Sequence, residues 1–432
     1  MQLAVDRSAR YFCFAVAPFC AAQHYRAPPV AAMQRMNPSH SSQIASYRLL
    51  TVPVRLALFY AAMFSVSGVH QPFWPVWLKA HGQSPSAIGV LLAAGVCARL
   101  LANPLVADLA DRRGQRRLPI VLLSWASLAG FALFAFTSGF AALFALSVLF
   151  GALWAPIGPL GDSLTLHAVY AERLDYGRIR LWGSISFMLC TSGAGWLIGA
   201  YGADMVLALV LGGLLLNALT CHWLPDRRVE PADAASGAPT RRLLLAPLFW
   251  LLLVGTGLVQ ASHTVYYGFF TLHLQSVGYG DGTIGLLWAE GVVAEIVLFY
   301  FSGTLLRHVR PTQLLLLGAI AAVIRWPITA ETAALPVLIA VQILHAFTFG
   351  AAHLGAMHFM ARAVPPALSA SAQSLYSALV GGVALGVTLL AAGPLFERFA
   401  AGAFYYMAAM AVVGGICCAL LDHRWHGRQI VR

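Results

Sequence analysis

The chain has 432 residues, 59% of them hydrophobic and only 10% charged, with a mean hydropathy of +0.75. A soluble protein is about a quarter charged, so these values exclude a soluble domain and indicate a polytopic membrane protein. The formal charge of +11 does not indicate a nucleic-acid partner, because the basic residues fall in alternate loops. Seven cysteines without C-x-x-C spacing suggest neither a zinc site nor a disulfide framework.

Residues 1–48 form a basic extension that reads as a disordered tail, or as a start assigned upstream of Met33 or Met36. A spanning helix needs roughly 20 apolar residues. By that rule and the polar breaks, spans are expected at about 52–78, 86–107, 118–137, 141–168, 182–200 and 204–224. These lie in a first bundle at 49–224, followed by a polar, Pro/Ala-rich linker at 225–245. Six more spans follow at about 247–272, 283–302, 311–330, 335–360, 368–393 and 402–421, within a second bundle at 246–422 and ahead of a tail at 423–432. Fourteen basic residues, from Arg112 to Arg362, fall in the loops of one side, against Lys79 and Arg398 on the other. The positive-inside rule then places both termini in the cytoplasm. The lipid bilayer is its surroundings and a nucleic-acid role is excluded.

The chain is built twice. IGVLLAAGVCAR (88–99) returns 196 positions later as IGLLWAEGVVAE (284–295), seven of twelve positions being identical. With six spans per half, both copies enter the membrane in the same direction, the arrangement of transporters that alternate access around a central site. Each copy ends in a charge, Arg99 or Glu295, roughly 18 Å into the membrane at 1.5 Å per residue. Intramembrane charges face cavities and partners. Arg99 is therefore a candidate to grip a substrate carboxylate with two parallel bonds, or to form a structural pair with Asp162 or Glu295. Glu295 and Asp162 are the candidate proton carriers. Glu290 is a third carboxylate, about 140° around the helix from Glu295, so one of the two is expected to be structural. Pro156 and Pro159 are expected to kink the fourth helix near Asp162.

Tyr266, Tyr267, Trp74 and Trp288 are candidate aromatic walls of a substrate site, with His263 one turn before Tyr267 as a polar partner. Trp77 is expected in an interfacial aromatic belt. His345 and His353 are candidate polar linings. With His358 they lack the i, i+4 spacing of a zinc helix, so no metal is expected. Arg325 ends the apolar run of the ninth helix, either buried or at an end facing water. Arg178 and Arg180 are placed at the cytoplasmic interface.

DLADRRGQRR (108–117) resembles the D-R-x-G-R-R loop of the major facilitator superfamily, with Asp111, Arg112, Gly114 and Arg116 matching. Gln115 stands in place of an Arg and Ala107 in place of a Gly. The resemblance implies an all-α integral membrane protein with twelve transmembrane helices in two pseudo-symmetric six-helix bundles, the major facilitator fold. Asp108 and these four residues would form its gating loop. DYGRIRLWGS (175–184), QPFWPVWLKAHG (71–82), IGLLWAEGVVAEI (284–296) and QILHAFTFGAAHLGAMHF (342–359) resemble the 3-phenylpropionate (hydrocinnamate) permeases over about residues 50–422. That implies proton-coupled uptake of a small aromatic carboxylate across the inner (plasma) membrane, with an organic anion and protons as partners; no cofactor and a monomer are expected. A sugar or nucleoside symporter, or a drug exporter, of the same fold is the alternative. An Arg in the ninth helix and a His in the tenth are similar to the sugar:proton symporters. Those carry a Glu three residues after the His, where this chain has Thr348, so their proton site is not carried over. An enzyme is not expected, for want of a nucleophile–base set or metal spacing.

Overall fold

The computed structural model describes residues 51–226, 241–365 and 368–431. The extension at 1–48 lies outside these residues, as does most of the linker; its last part forms a helical turn, Arg241–Leu244, that buries Leu243. Among the described residues the architecture is all-helical, with twelve long helices: α1 (Val52–Ala80), α2 (Pro85–Arg113), α3 (Arg117–Phe136), α4 (Phe140–Glu172), α5 (Tyr176–Tyr201), α6 (Met205–Cys221), α7 (Pro247–Ser276), α8 (Asp281–Tyr300), α9 (Pro311–Glu331), α10 (Leu335–Ala363), α11 (369–399) and α12 (Ala403–Arg424). Ten apolar stretches are long enough to cross a membrane. One of them, Ser371–Arg424, holds both α11 and α12, divided at Ala400 with φ 48°, and the 17-residue α6 completes the twelve. In hydrocarbon every backbone N–H and C=O must be satisfied within its own segment, which makes the helix the only solution for such sequences.

The ends follow from local chemistry. Ser84 caps α2 by accepting a bond from the Ala87 amide (3.2 Å), and Pro85 occupies the first helical position. Asp175 caps α5 by accepting from the Arg178 amide (3.1 Å), so α5 starts at Tyr176 rather than near 182. Proline interrupts α4 at Ala155–Pro156. π-helical turns interrupt α10 at Ala346–Ala351 and α11 at Ser377–Ala384, a deformation frequent at functional sites.

α1–α6 and α7–α12 form the two bundles, and α2 meets α11 while α5 meets α8 across the boundary. Both crossings are antiparallel and closest on the side away from the linker. There Gly285 lies on the Thr191 carbonyl and Gly393 on the Pro85 carbonyl; a Cβ added at either glycine would come within 2.5 Å of that oxygen. Gly89 and Gly195 are seated in the same way. Small residues let backbones approach, which is how helices associate in lipid without a hydrophobic drive. The Ser86 amide (3.1 Å) and hydroxyl add hydrogen bonds to the Glu397 carboxylate across the same seam. Toward the linker, α4 and α10 pack within their own bundles. The two bundles are therefore joined chiefly at the far side.

Candidate functional site

Arg325 is fully buried in the second bundle, which excludes the water-facing position. Its Nη1 donates to Thr348 Oγ1 (3.1 Å) and meets His345 Nδ1 (3.1 Å), and its Nη2 donates to Gln342 Oε1 (2.7 Å). The guanidinium lies over the rings of Tyr266 (4.6 Å) and Trp326 (4.7 Å). Gln342 donates in turn to Tyr266 Oη (3.0 Å) and the Leu287 carbonyl (3.0 Å), and His263 Nε2 meets Thr348 Oγ1 (2.9 Å). Thr348 is thus the junction of Arg325 and His263. A neutral hydroxyl can both donate and accept there.

His345 Nε2 faces Glu295 Oε2 at 3.9 Å. Its ring rests against Gly291, which has no side chain to hold it away, so the glycine four residues before Glu295 admits a neighbouring ring. His345, Phe349 and His353 stack, with centroids 5.6 and 6.2 Å apart and planes within 8°. In a regular α-helix His345 and His353 would point about 80° apart. The wider π turn between them slows the rotation and brings the three rings into line.

Across the bundle boundary, the charge of Arg180 acts on Glu295 through space, with no ion pair or hydrogen bond between the two among the described residues. Arg180 is 5% exposed, one turn inside α5, with its guanidinium 3.8 Å from the Phe64 ring and 5.3 Å from that of Tyr60. Its Nη1 is buried without a hydrogen-bond partner. Arg180 is also the charged neighbour of Asp162, which accepts from Tyr60 Oη (2.6 Å) and Tyr176 Oη (2.9 Å). Direct contacts join Arg325, His345 and Glu295 in the second bundle and Asp162, Tyr60 and Tyr176 in the first, and the charge of Arg180 acts on both carboxylates. The signal for Arg180 was present but unused: an Asp before YGRIRLWGS marks a helix start. The packing of α5 against α8 is a tertiary fact.

Arg99 is elsewhere. It donates to the Gly381 carbonyl in the π turn of α11, and among the described residues no ion pair joins it to Glu295 or Asp162. Gly95 is spent on the crossing with Gly151 of α4. Glu290 is partly exposed. Tyr266 packs on Trp288 (4.5 Å) and Tyr267 on His263 (5.5 Å), and Trp288 Nε1 donates to Thr271 (3.1 Å). Trp74 stands in the first bundle, stacked between His70 (5.4 Å) and Trp77 (4.6 Å) against Phe131, within the same continuous apolar core as Tyr266 and Trp288. Trp77 is 1% exposed, so its expected place in a lipid-facing belt is corrected to the core.

Asp108 pairs with Arg112 (2.8 Å) on the last turns of α2, and Asp111 with Arg116 (2.8 Å), the residue ahead of α3. Gly114, with φ 61°, makes the turn between them. Arg116 Nε also donates to Ser163 Oγ (2.8 Å), tying this turn to α4 beside Asp162.

Two six-helix bundles closed at one side form the architecture of a membrane transporter. The chain belongs to the MFS_1 like family, whose profile matches residues 54–407, and is a secondary transporter of the major facilitator class. It is 34% identical over 361 residues to a probable 3-phenylpropionic acid transporter of Escherichia coli (strain K12), covering 83% of this chain and 94% of that one. It is 29% identical to the maltose permease of Geobacillus stearothermophilus, over 84% of this chain and 93% of the relative. The crystal structure of the nucleoside transporter NupG superposes with a TM-score of 0.76 at 15% identity, covering 87% of this chain and 100% of that one, which shows the fold alone.

Proposed function

We propose that the chain is an inner-membrane, proton-coupled importer of a small aromatic carboxylate such as 3-phenylpropionate, with both termini cytoplasmic. The observation that carries this reading is the position of Arg180: a buried guanidinium with an unpartnered Nη1 and an aromatic ring on its face, on the helix that packs against the Glu295 helix of the other bundle. Arg180 replaces Arg99 as the anchor for the substrate carboxylate, since the Arg99 guanidinium is engaged by a backbone carbonyl. Phe64, Tyr266 and Trp288 supply apolar surface for a phenyl ring.

Coupling follows from competition for one guanidinium. Ionised Glu295 attracts Arg180 and competes with the substrate anion. Protonated Glu295 does not, so substrate and proton are held together. Release of the proton on the linker side restores the Glu295–Arg180 attraction and expels the anion. The bundle contacts at the far side correspond to a state open toward the cytoplasm. The name of the Escherichia coli relative and the aromatic surroundings support the substrate class. Uptake of labelled phenylpropionate into inside-alkaline vesicles tests it, with unlabelled maltose and nucleosides as competitors. Accumulation that persists after the proton gradient is collapsed would refute coupling, and competition by maltose but not by aromatic acids would reassign the substrate.

A further inference from the structure

The linker-side ends of α9, α10 and α12 enclose a cleft of about 510 Å3 lined by Arg310, Arg362, Trp425, His426 and Gly427. It takes no part in the contacts of Arg325, Glu295 or Arg180. Its wall is a built structure. Trp425 is 5% exposed and packs on Phe359 at 4.8 Å. Gly427 adopts φ 78°, which lets the chain turn back, and the Ile430 amide donates to the Ala363 carbonyl at the end of α10 (2.8 Å). Trp425 Nε1 donates to the Arg428 carbonyl (2.8 Å), closing the turn.

The charge of this cleft is one-sided. In the segments that build it, 302–330, 352–365 and 399–431, Asp422 is the sole acid. Asp422 is already engaged by Arg310 (2.9 Å) and Thr312, an arrangement that fixes the Arg310 guanidinium at the mouth. Arg362 stands exposed on the last turn of α10. Below the cleft, Val413, Ile416 and Leu420 make an exposed apolar stripe along α12 that ends one turn before Arg424. Such a stripe is a surface for acyl chains, and basic pockets between helix ends on the cytoplasmic side recognise phosphate-bearing head groups.

We propose that this cleft binds the phosphate group of an anionic phospholipid, with Arg310 and Arg362 as its cationic contacts and the α12 stripe seating the chains. The full-length protein in detergent is titrated with phosphatidylglycerol, with phosphatidylcholine and with inorganic phosphate, and binding is read by native mass spectrometry and by thermal shift. Phosphatidylglycerol is expected to bind more tightly than phosphatidylcholine, with an affinity that falls as salt rises. Arg362→Gln should weaken it about tenfold, and Arg362→Lys should recover most of the loss because the charge is retained. The unliganded melting temperatures of both variants should match the parent, which separates a lost ligand from a lost fold. Binding of inorganic phosphate with the same Arg362 dependence would keep the phosphate chemistry and move its source to solution. Equal binding of the two lipids, or binding indifferent to Arg362→Gln, overturns the proposal.

Discussion

A guanidinium enclosed by Phe64 and Tyr60, as Arg180 is, has one buried nitrogen without a hydrogen bond. A hydrogen bond to a charged group contributes about 1.5–3 kcal/mol, so Arg180→Ala should weaken phenylpropionate binding about 10- to 100-fold, measured by calorimetry on the purified protein. Arg180→Lys should recover only part of this, because an ammonium cannot offer two parallel bonds; full affinity in the Lys variant would argue against a bidentate grip. For Arg99 the expectation is opposite. Its bond to Gly381 braces the π turn of α11, so Arg99→Ala should leave affinity within about twofold while lowering the melting temperature by about 2 °C. A large loss of affinity at unchanged stability would restore Arg99 as the anchor.

Helices α2, α5, α8 and α11 carry the bundle boundary, and their glycines set how closely it shuts. With the Pro85 carbonyl 2.5 Å from where a Cβ would stand at Gly393, Gly393→Leu cannot be accommodated without separating α2 from α11. The expected result is a far side that opens. A cysteine placed at Tyr267 should then react with a membrane-impermeant maleimide in whole cells, and remain unreactive in the Gly393 parent. Unchanged labelling would mean that the seam does not control access. The Ser86–Glu397 bonds close the same seam by a polar route. In α10, the π turn aligns His345, Phe349 and His353, an alignment invisible to a regular-helix projection.

For the whole molecule, the arginine distribution and the pattern of bundle contacts bear on one orientation. The linker face carries the basic loops, and the bundles are least joined there. If that face is cytoplasmic, a cysteine introduced at Gln83, between α1 and α2, should be labelled from outside the cell, and one at Gln115 only after permeabilisation. The reverse pattern would invert the topology and turn the proposed direction of uptake around.

Length, hydropathy and the internal repeat were enough to specify twelve spans in two parallel halves, because in lipid the backbone can only satisfy itself as helix and each span must match the membrane's thickness. The loop with Asp111, Gly114 and Arg116 was legible for the same reason, since tight turns and helix ends depend on neighbours in the chain. The site was legible in part. Glu295 and His345 announced themselves as polar groups in apolar helices. What sequence could not decide was partnership. Arg99 and Glu295 occupy matched positions in the repeat yet go to different neighbours, Arg99 to a carbonyl exposed by a π turn and Glu295 to His345. The antiparallel meeting of α5 with α8 sets the helix of Arg180 against that of Glu295, and the start of α5 at Tyr176 places Arg180 one turn into its helix. Electrostatic energy falls with distance through a low-dielectric interior, so function depends on which charges the packing of two bundles brings together, and only the tertiary structure contains that.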